Sequence, residues 1–295
     1  MNSRCQWSCN FCHGEGSFTS ADVNTQQLID ALLKFREYFG FNEVHFTGGE
    51  PTLNEDLPAM ISAAHDLGFV TKLTSNGYHE IRRYLKCIDA GLNEINISLH
   101  TLNGAGLANI MYPRRPQQWG ERAVARQLDL IHTIEDKIKV KINTVVTYSE
   151  KEALEIVGWI KNSSPKIEWR LADALSLQGT AYAAIDRVLN KLSAKALAIQ
   201  ITRGCSSASI SLEDKDGFKF KVKRILPFKL DPLCKNCPLD ERGGCNEYFY
   251  GPRLENVGGE LSVRSCLYRS EHPYTIPIND YFLTEIAKNL KTIIG

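Results

Sequence analysis

No stretch of this 295-residue sequence stays apolar for the roughly 18–20 residues a membrane-spanning helix needs, so no membrane partner is expected. An excess of one charge is missing too: 35 Lys and Arg face 34 Asp and Glu, a net charge of +1. That balance argues against nucleic acid or an anionic membrane surface as an obligatory partner. There is no low-complexity segment and no short repeat, which excludes a simple repeat array. Nothing at the start reads as a signal peptide, and the nine cysteines are an odd number. Both facts weigh against a secreted disulfide scaffold and point to a reducing cytoplasm. What is present is ordinary globular composition. At 43% hydrophobic, the chain can build one large domain, or a large and a small one.

The informative cysteines come first. Cys5-Gln-Trp-Ser-Cys9-Asn-Phe-Cys12 sets three thiols in eight residues, with C-x3-C-x2-C spacing. Thiols this close can share one pocket, and soft sulfur ligands suit an iron–sulfur cluster or a thiophilic metal. With no fourth cysteine nearby, one iron of a four-iron cluster would stay open to a small molecule, so the site reads as catalytic. A zinc knuckle that recruits His13 is the alternative. A second set, Cys234-x2-Cys237-x7-Cys245-x20-Cys266, offers four thiolates to an iron–sulfur cluster or a structural zinc. Asn256-Val-Gly-Gly259 reads as a hairpin turn that returns Cys266 toward the others. Cys205 is a ligand, a hydrogen-atom donor or an inert thiol. Cys87, inside a helical pattern, reads as a buried small hydrophobe.

Between the two cysteine sets, strands alternate with helices. Strand patterns cover Glu43–Thr47, Val70–Thr74, Glu94–Leu99, Lys139–Val146 and Lys166–Leu171. Helical spacing covers Thr25–Phe39, Leu57–Leu67, His79–Ala90, Glu121–Ile134 and Glu150–Lys161, and Gly40, Gly68 and Gly91 stand where C-terminal caps belong. The alternation predicts a parallel sheet with right-handed crossovers, in a barrel or part of one. Active sites of such barrels form at the C-terminal ends of the strands. Only four residues precede Cys5, so any strand ahead of the cysteine loop is missing or truncated in this sequence. Past residue 180 the pattern changes: Ala181–Leu197 reads as helix, and Ser206–Val222 as a hairpin around Asp216-Gly217. We expect a first domain over 1–184 and a second, smaller one over 185–295.

The three-cysteine motif, Thr47-Gly-Gly-Glu-Pro51 and Ser75-Asn76-Gly77 together resemble the radical SAM superfamily, whose cluster binds S-adenosylmethionine (SAM) on its open iron. The resemblance implies a partial (β/α)6 barrel with a small C-terminal auxiliary iron–sulfur domain. It implies that Cys5, Cys9 and Cys12 hold a [4Fe-4S] cluster that cleaves SAM to a 5′-deoxyadenosyl radical. Phe11 matches the aromatic near the adenine. Gly48, Gly49, Glu50 and Pro51 match the motif that recognises the methionyl amino group. Ser75, Asn76, Ser98, Asn143 and Leu175 match further SAM contacts, and Lys141 a substrate contact. Cys234, Cys237, Cys245 and Cys266 resemble the ligands of an auxiliary cluster of the SPASM or twitch type. The usual first piece of that pattern is incomplete: Cys205 and Gly217 fit, but Val222 stands where a Cys is expected.

Most of the chain is similar to the molybdenum cofactor cyclase branch, the GTP 3′,8-cyclase-like enzymes, and the departures are informative. His45 replaces an Arg that contacts GTP there, Pro-Leu-Asp-Glu follows Cys237 in place of an Arg-rich stretch, and the paired terminal glycines are absent. Arg is the natural bidentate partner of a triphosphate. The expectation is a radical SAM enzyme acting on a small polar metabolite of nucleoside or sugar type, with an external flavodoxin- or ferredoxin-type electron donor. Modification of a ribosomally made peptide is the alternative; the short start leaves no room for a leader-binding domain. A non-enzymatic iron–sulfur electron carrier is a remote third reading, and it would not need the SAM motifs.

Overall fold

The protein is described by a computed structural model over residues 4–12, 22–147, 149–164, 166–174, 180–235, 237–241, 243–245 and 248–295. Its first half alternates helix and strand: α1 Thr25–Phe39, β1 Glu43–Phe46, α2 Leu57–Asp66, β2 Val70–Ser75, α3 Ile81–Asp89, β3 Glu94–Ser98, α4 Gly104–Ile110, α5 Gln117–Ile134, β4 Lys139–Val146, α6 Lys151–Ser163 and β5 Glu168–Asp173. Local chemistry sets several boundaries. The Asn24 side chain accepts from Gln27 N at the start of α1, and Gly40, at φ 75°, closes it with a bond to Arg36 O.

β1 to β5 pair in parallel and in sequence order. Sequential neighbours joined by crossovers of one hand place every helix on the same face of the sheet. On that face Leu73, Ile95, Ile97, Ile142, Trp169 and Leu171 are buried in one core with the inward residues of the helices. The alternate residues point the other way, and they are polar: Lys72 and Thr74, Glu94, Asn96 and Ser98, Lys141 and Asn143, Glu168 and Arg170. The uncovered face is therefore polar, whereas the interior of a closed barrel is usually apolar.

α7 (Thr180–Leu192) follows β5 and stops short of the helix expected to reach Leu197. Ser193 takes a left-handed backbone, φ 50°, and Ala194 N bonds Leu189 O, which ends the helix. Lys195–Ile201 instead forms β6, an exposed edge strand captured by pairing with β7 (Ser207–Glu213). β7 turns through Asp216-Gly217 into β8 (Lys219–Ile225), which lies parallel to β5. The eight-stranded sheet thus runs on across residue 184. Beyond it come two short helices, α8 (Asp231–Cys234) and α9 (Pro238–Glu241), and a three-stranded sheet of β9 (Arg253–Val257), β10 (Glu260–Arg264) and β11 (Thr275–Pro277). Gly258 and Gly259, at φ 61° and 94°, make the expected two-residue turn between β9 and β10. The helices α10 (Ile278–Tyr281) and α11 (Glu285–Ile294) complete the chain, and Ile286, Ala287 and Leu290 of α11 join the main core. Among the described residues no helix is long and apolar enough to cross a membrane.

The cysteine loop is tied to the connection after α4. Cys9 bridges Met111, Asn10 N bonds Ile110 O at 2.8 Å, and Tyr112 N bonds Ser8 O at 2.7 Å. α4 is in turn pressed against α5 at Gly120. A Cβ there would lie 1.9 Å from the Gly104 carbonyl oxygen, a clash that no rotamer relieves. Gly120→Ala is expected to cost about 3 kcal/mol, near the upper end of overpacking penalties, measured by urea unfolding. An unchanged midpoint would show that the two helices separate freely.

Candidate active site

The C-terminal ends of β1, β2 and β3 carry three loops that meet. After β1, Gly48 takes φ 137°, a backbone that favours glycine, and the chain turns at Pro51. Glu50 N bonds Arg4 O at 2.7 Å, fixing this loop to the residue before Cys5. The Glu50 side chain is 1% exposed and fully bonded. It accepts from Thr52 N (3.1 Å), Thr52 Oγ1 (2.6 Å), Ser75 Oγ (2.8 Å) and Asn76 N (2.7 Å). Burial pushes its carboxyl up while those four donors pull it down, and burial prevails. Ser75 Oγ also shares a hydrogen bond with Tyr84 Oη at 2.9 Å. Asn76 Nδ2 reaches Cys5 Sγ at 3.9 Å, so the loop after β2 contacts the cysteine loop directly. Gln127 Nε2, from α5, ties Asn76 O (2.7 Å) to Ser98 O (2.9 Å) at the end of β3.

The three thiols act on one another. Burial first, then Glu50 and Cys12, push the Cys5 thiol up to about 11. Burial and the neighbouring Cys12 and Cys5 push Cys9 up to about 12. Cys5 and Cys9, which resist ionising, are donors that a bound cation would hold as thiolates. Cys5 and Cys12 are exposed and Cys9 is half-buried, so the set opens on one side. The residues therefore fit a cluster held by three thiolates.

Phe11, packed against Cys9, lines a pocket of about 510 Å³ between α4 and the end of β4. His100 meets Phe11 edge-on, with ring centroids 4.9 Å apart, and its Nδ1 accepts from Val145 N at 3.1 Å. Complete burial pushes the His100 imidazole down to about 4, so it is neutral at physiological pH.

Lys141 is not among the groups that meet the cysteine loop. It lies one layer below Asn143, in register with Asn96, and its ammonium binds Glu94 at 2.7 Å and faces Glu168 at 3.6 Å. Burial alone would raise the Glu94 carboxyl, but bonds to Lys141 and Lys139 hold it below the usual range. Asn143 does lie on the polar face beside Ser98. Its Oδ1, like that of Asn96, is buried without a partner among the described residues. Cys205 sits in the turn before β7, its Sγ 3.8 Å from Thr202 O. Cys87 is fully buried in α3. Leu175 and His13 lie outside the described residues.

Far along the chain, Cys234, Cys237, Cys245 and Cys266 line a single pocket with Tyr248 and Tyr274. Burial followed by Cys245 and Cys266 pushes the Cys234 thiol up to about 11, and burial followed by Cys245 and Cys237 pushes Cys266 up. No three His, Cys, Asp or Glu side chains among the described residues stand close enough to hold one metal ion. Sequence reasoning missed Asn96, His100, Gln127 and Thr52. Alternation with Glu94 and Ser98 marks Asn96, and proximity to Ser98 marks His100. Gln127, on a helix remote in sequence, carries no such signal.

The family model for the Radical SAM superfamily matches residues 1–160. The GTP 3′,8-cyclase of Nautilia profundicola is 29% identical over 256 residues, 80% of this chain and 74% of that one. Among solved structures, native anSMEcpe with bound AdoMet superimposes with TM-score 0.58 at 15% identity, covering 98% of this chain and 80% of that one. Streptococcus suis SuiB bound to S-adenosylmethionine gives 0.52 at 20% identity, over 65% of this chain. The aligned part spans 45% of the SuiB chain. At these identities the two structures support the shared fold.

The buried His100 couples stability to pH. Its folded pKa, about 4, lies below its unfolded value near 6.5. Its contribution is therefore present above pH 6.5 and lost as the pH falls toward 4. The stability gap between wild type and His100→Asn should narrow by about 2 kcal/mol from pH 7 to pH 4.5, followed by urea unfolding. A gap that does not change with pH would refute the buried, neutral imidazole.

Proposed function

Because this chain belongs to the radical SAM superfamily of enzymes, we propose that it abstracts hydrogen from a small polar metabolite of nucleoside or sugar type. A four-iron cluster with SAM on its open iron supplies, when both are bound, one-electron cleavage of the sulfonium. The observation that carries this reading is the meeting of the cysteine, Gly-Gly-Glu and Ser-Asn-Gly loops around Glu50. Cys5, Cys9 and Cys12 would hold the cluster. The Asn76 amide beside Cys5 Sγ would orient that ligand and adjust its basicity. The backbone at Gly48 and Gly49 would approach the methionyl end of SAM. Glu50, with its four internal bonds, keeps that backbone in place. Ser98 and Phe11 would flank the rest of SAM, at the end of β3 and beside the pocket.

The polar face of the sheet supports this choice of substrate class. Most of its cations face carboxylates: Lys72 meets Glu43 (2.6 Å), Lys141 meets Glu94, and Arg170 and Lys221 meet Glu168 (3.6 and 3.2 Å), while Lys223 bonds the Tyr250 hydroxyl. A triphosphate would have to displace these carboxylates, so GTP, the substrate in the name of the Nautilia relative, suits this face poorly. The orphaned acceptors Asn96 Oδ1 and Asn143 Oδ1 instead favour a molecule rich in N–H or O–H donors. In the C-terminal unit, which we take as 185–295, Cys234, Cys237, Cys245 and Cys266 would hold an auxiliary cluster. Four thiols around one pocket make an all-sulfur donor set suited to an iron–sulfur cluster.

Anaerobically reconstituted protein is expected to carry about eight irons and to form 5′-deoxyadenosine from SAM under dithionite. A Cys5/Cys9/Cys12→Ala variant should keep about four irons and form none. Product from the triple variant would refute the site. GTP deuterated on its ribose should transfer no label to 5′-deoxyadenosine, and transfer would establish GTP as substrate.

A Cys234/Cys237→Ala variant should lose about four irons and keep the C-x3-C-x2-C cluster. Zinc, rather than iron, lost from that variant would overturn the auxiliary-cluster assignment.

A further inference from the structure

The pocket beside Phe11 contains a polar group that the reading above leaves without a task. Nδ1 of His100 is committed as the acceptor from Val145 N–H at 3.1 Å, so the proton of the neutral ring sits on Nε2. That N–H has no partner among the described residues, and His100 lines the pocket with Thr101, Asn109, Ile110 and Val145. A donor on the wall of a pocket of about 510 Å³ is available to a ligand. The walls add a shape constraint. Phe11 meets the imidazole at an interplanar angle of 83°, and Phe11, Ala174, Ile110 and Val145 form one apolar patch. A flat ring lodged on this patch would present its edge to His100.

We infer that His100 reads the ligand: its Nε2–H donates to a ring-nitrogen acceptor of a planar heteroaromatic group in this pocket, the purine of SAM. The inference rests on the radical SAM reading of the site and adds to it a specificity residue at the end of β3. A fixed tautomer makes the contact selective. A donor held in one direction rewards an acceptor nitrogen and penalises a C–H at the same position. The bond between Nδ1 and Val145 N also ties the donor to β4, so the ring does not swing away when the pocket is empty. With burial keeping the ring neutral, the donor persists unchanged across the physiological pH range.

The test is equilibrium binding to the anaerobically reconstituted protein, without reductant, of SAM and its 1-deaza, 3-deaza and 7-deaza analogues. One of the three analogues should bind wild type about 5–10-fold more weakly than SAM, the loss expected for one hydrogen bond. His100→Asn keeps an acceptor for Val145 N–H but lacks the Nε2 donor. It should bind SAM about 5–10-fold more weakly than wild type and no longer distinguish that analogue. Equal binding of all three analogues to wild type, or a penalty that survives in His100→Asn, overturns the inference while leaving the radical SAM reading in place. Failure of wild type to bind SAM at all overturns both. The wild-type analogue series decides the matter even where the variant does not fold.

Discussion

The buried carboxylate of Glu50 holds the active end of this protein together. A carboxylate removed from water is costly unless its lone pairs are used, and here four donors use them. The donors come from two chain segments, Thr52 on its own loop and Ser75 and Asn76 at the end of β2. Its backbone N–H reaches a third, Arg4, beside the first cysteine. One side chain thus sets the distances among the loops after β1 and β2 and the cysteine loop. Its partners are themselves braced: Ser75 by Tyr84 and Asn76 by Gln127. A charge placed this deep serves the arrangement only while every bond stands, so the loops are positioned together.

A second constraint comes from the sheet. Strands added in sequence order, with crossovers of one hand, put all helices on one face and leave the other open. That face carries polar residues even where they are buried, as Glu94, Asn96 and Lys141 are. It cannot be a bare array of charges without self-repulsion. The sequence resolves this with neighbouring strands of opposite charge, Glu43 against Lys72 and Glu94 and Glu168 around Lys141. The same pairing that stabilises the face removes its cations from ligand binding. The same face also carries neutral amides, Asn96 in register with Lys141 and Asn143 one layer above it.

Periodicity made the alternating half of the chain legible. α1 and β4 begin and end where their patterns do, because capping and strand alternation are local properties. The strand at Lys195–Ile201 was not legible as one. Ala196, Leu197, Ala198 and Ile199 suit a helix as well as a strand, and only pairing with β7 decides between them. In the site, the cysteines and the Gly-Gly-Glu and Ser-Asn-Gly triplets stand out because their chemistry is contiguous. Gln127 and Tyr84 do not, since their roles depend on which loop ends they face across the fold. Lys141 was visible as a buried cation in need of a partner. Its partners, the first residues of β3 and β5, turn it toward the base of the sheet and away from the cysteines.

The two thiol sets, more than 200 residues apart in sequence, share one continuous scaffold. β8 pairs with β5, so the hairpin after α7 extends the sheet that carries the first set. Ser206 N bonds Phe249 O and Phe249 N bonds Phe228 O, which fastens the hairpin to the segment holding Cys234 and Cys245. On the far side, Asn256 Nδ2 bonds Asp22 O and Gln27 Nε2 bonds Gly259 O, linking the β9–β10 turn back to the start of α1. Residues of α11 and α1 complete one core between them. A second domain free to move would need a linker with few crossing contacts. Here the crossing contacts include a strand pairing, a shared core and hydrogen bonds at both ends, so the spacing between the thiol sets is set by the fold.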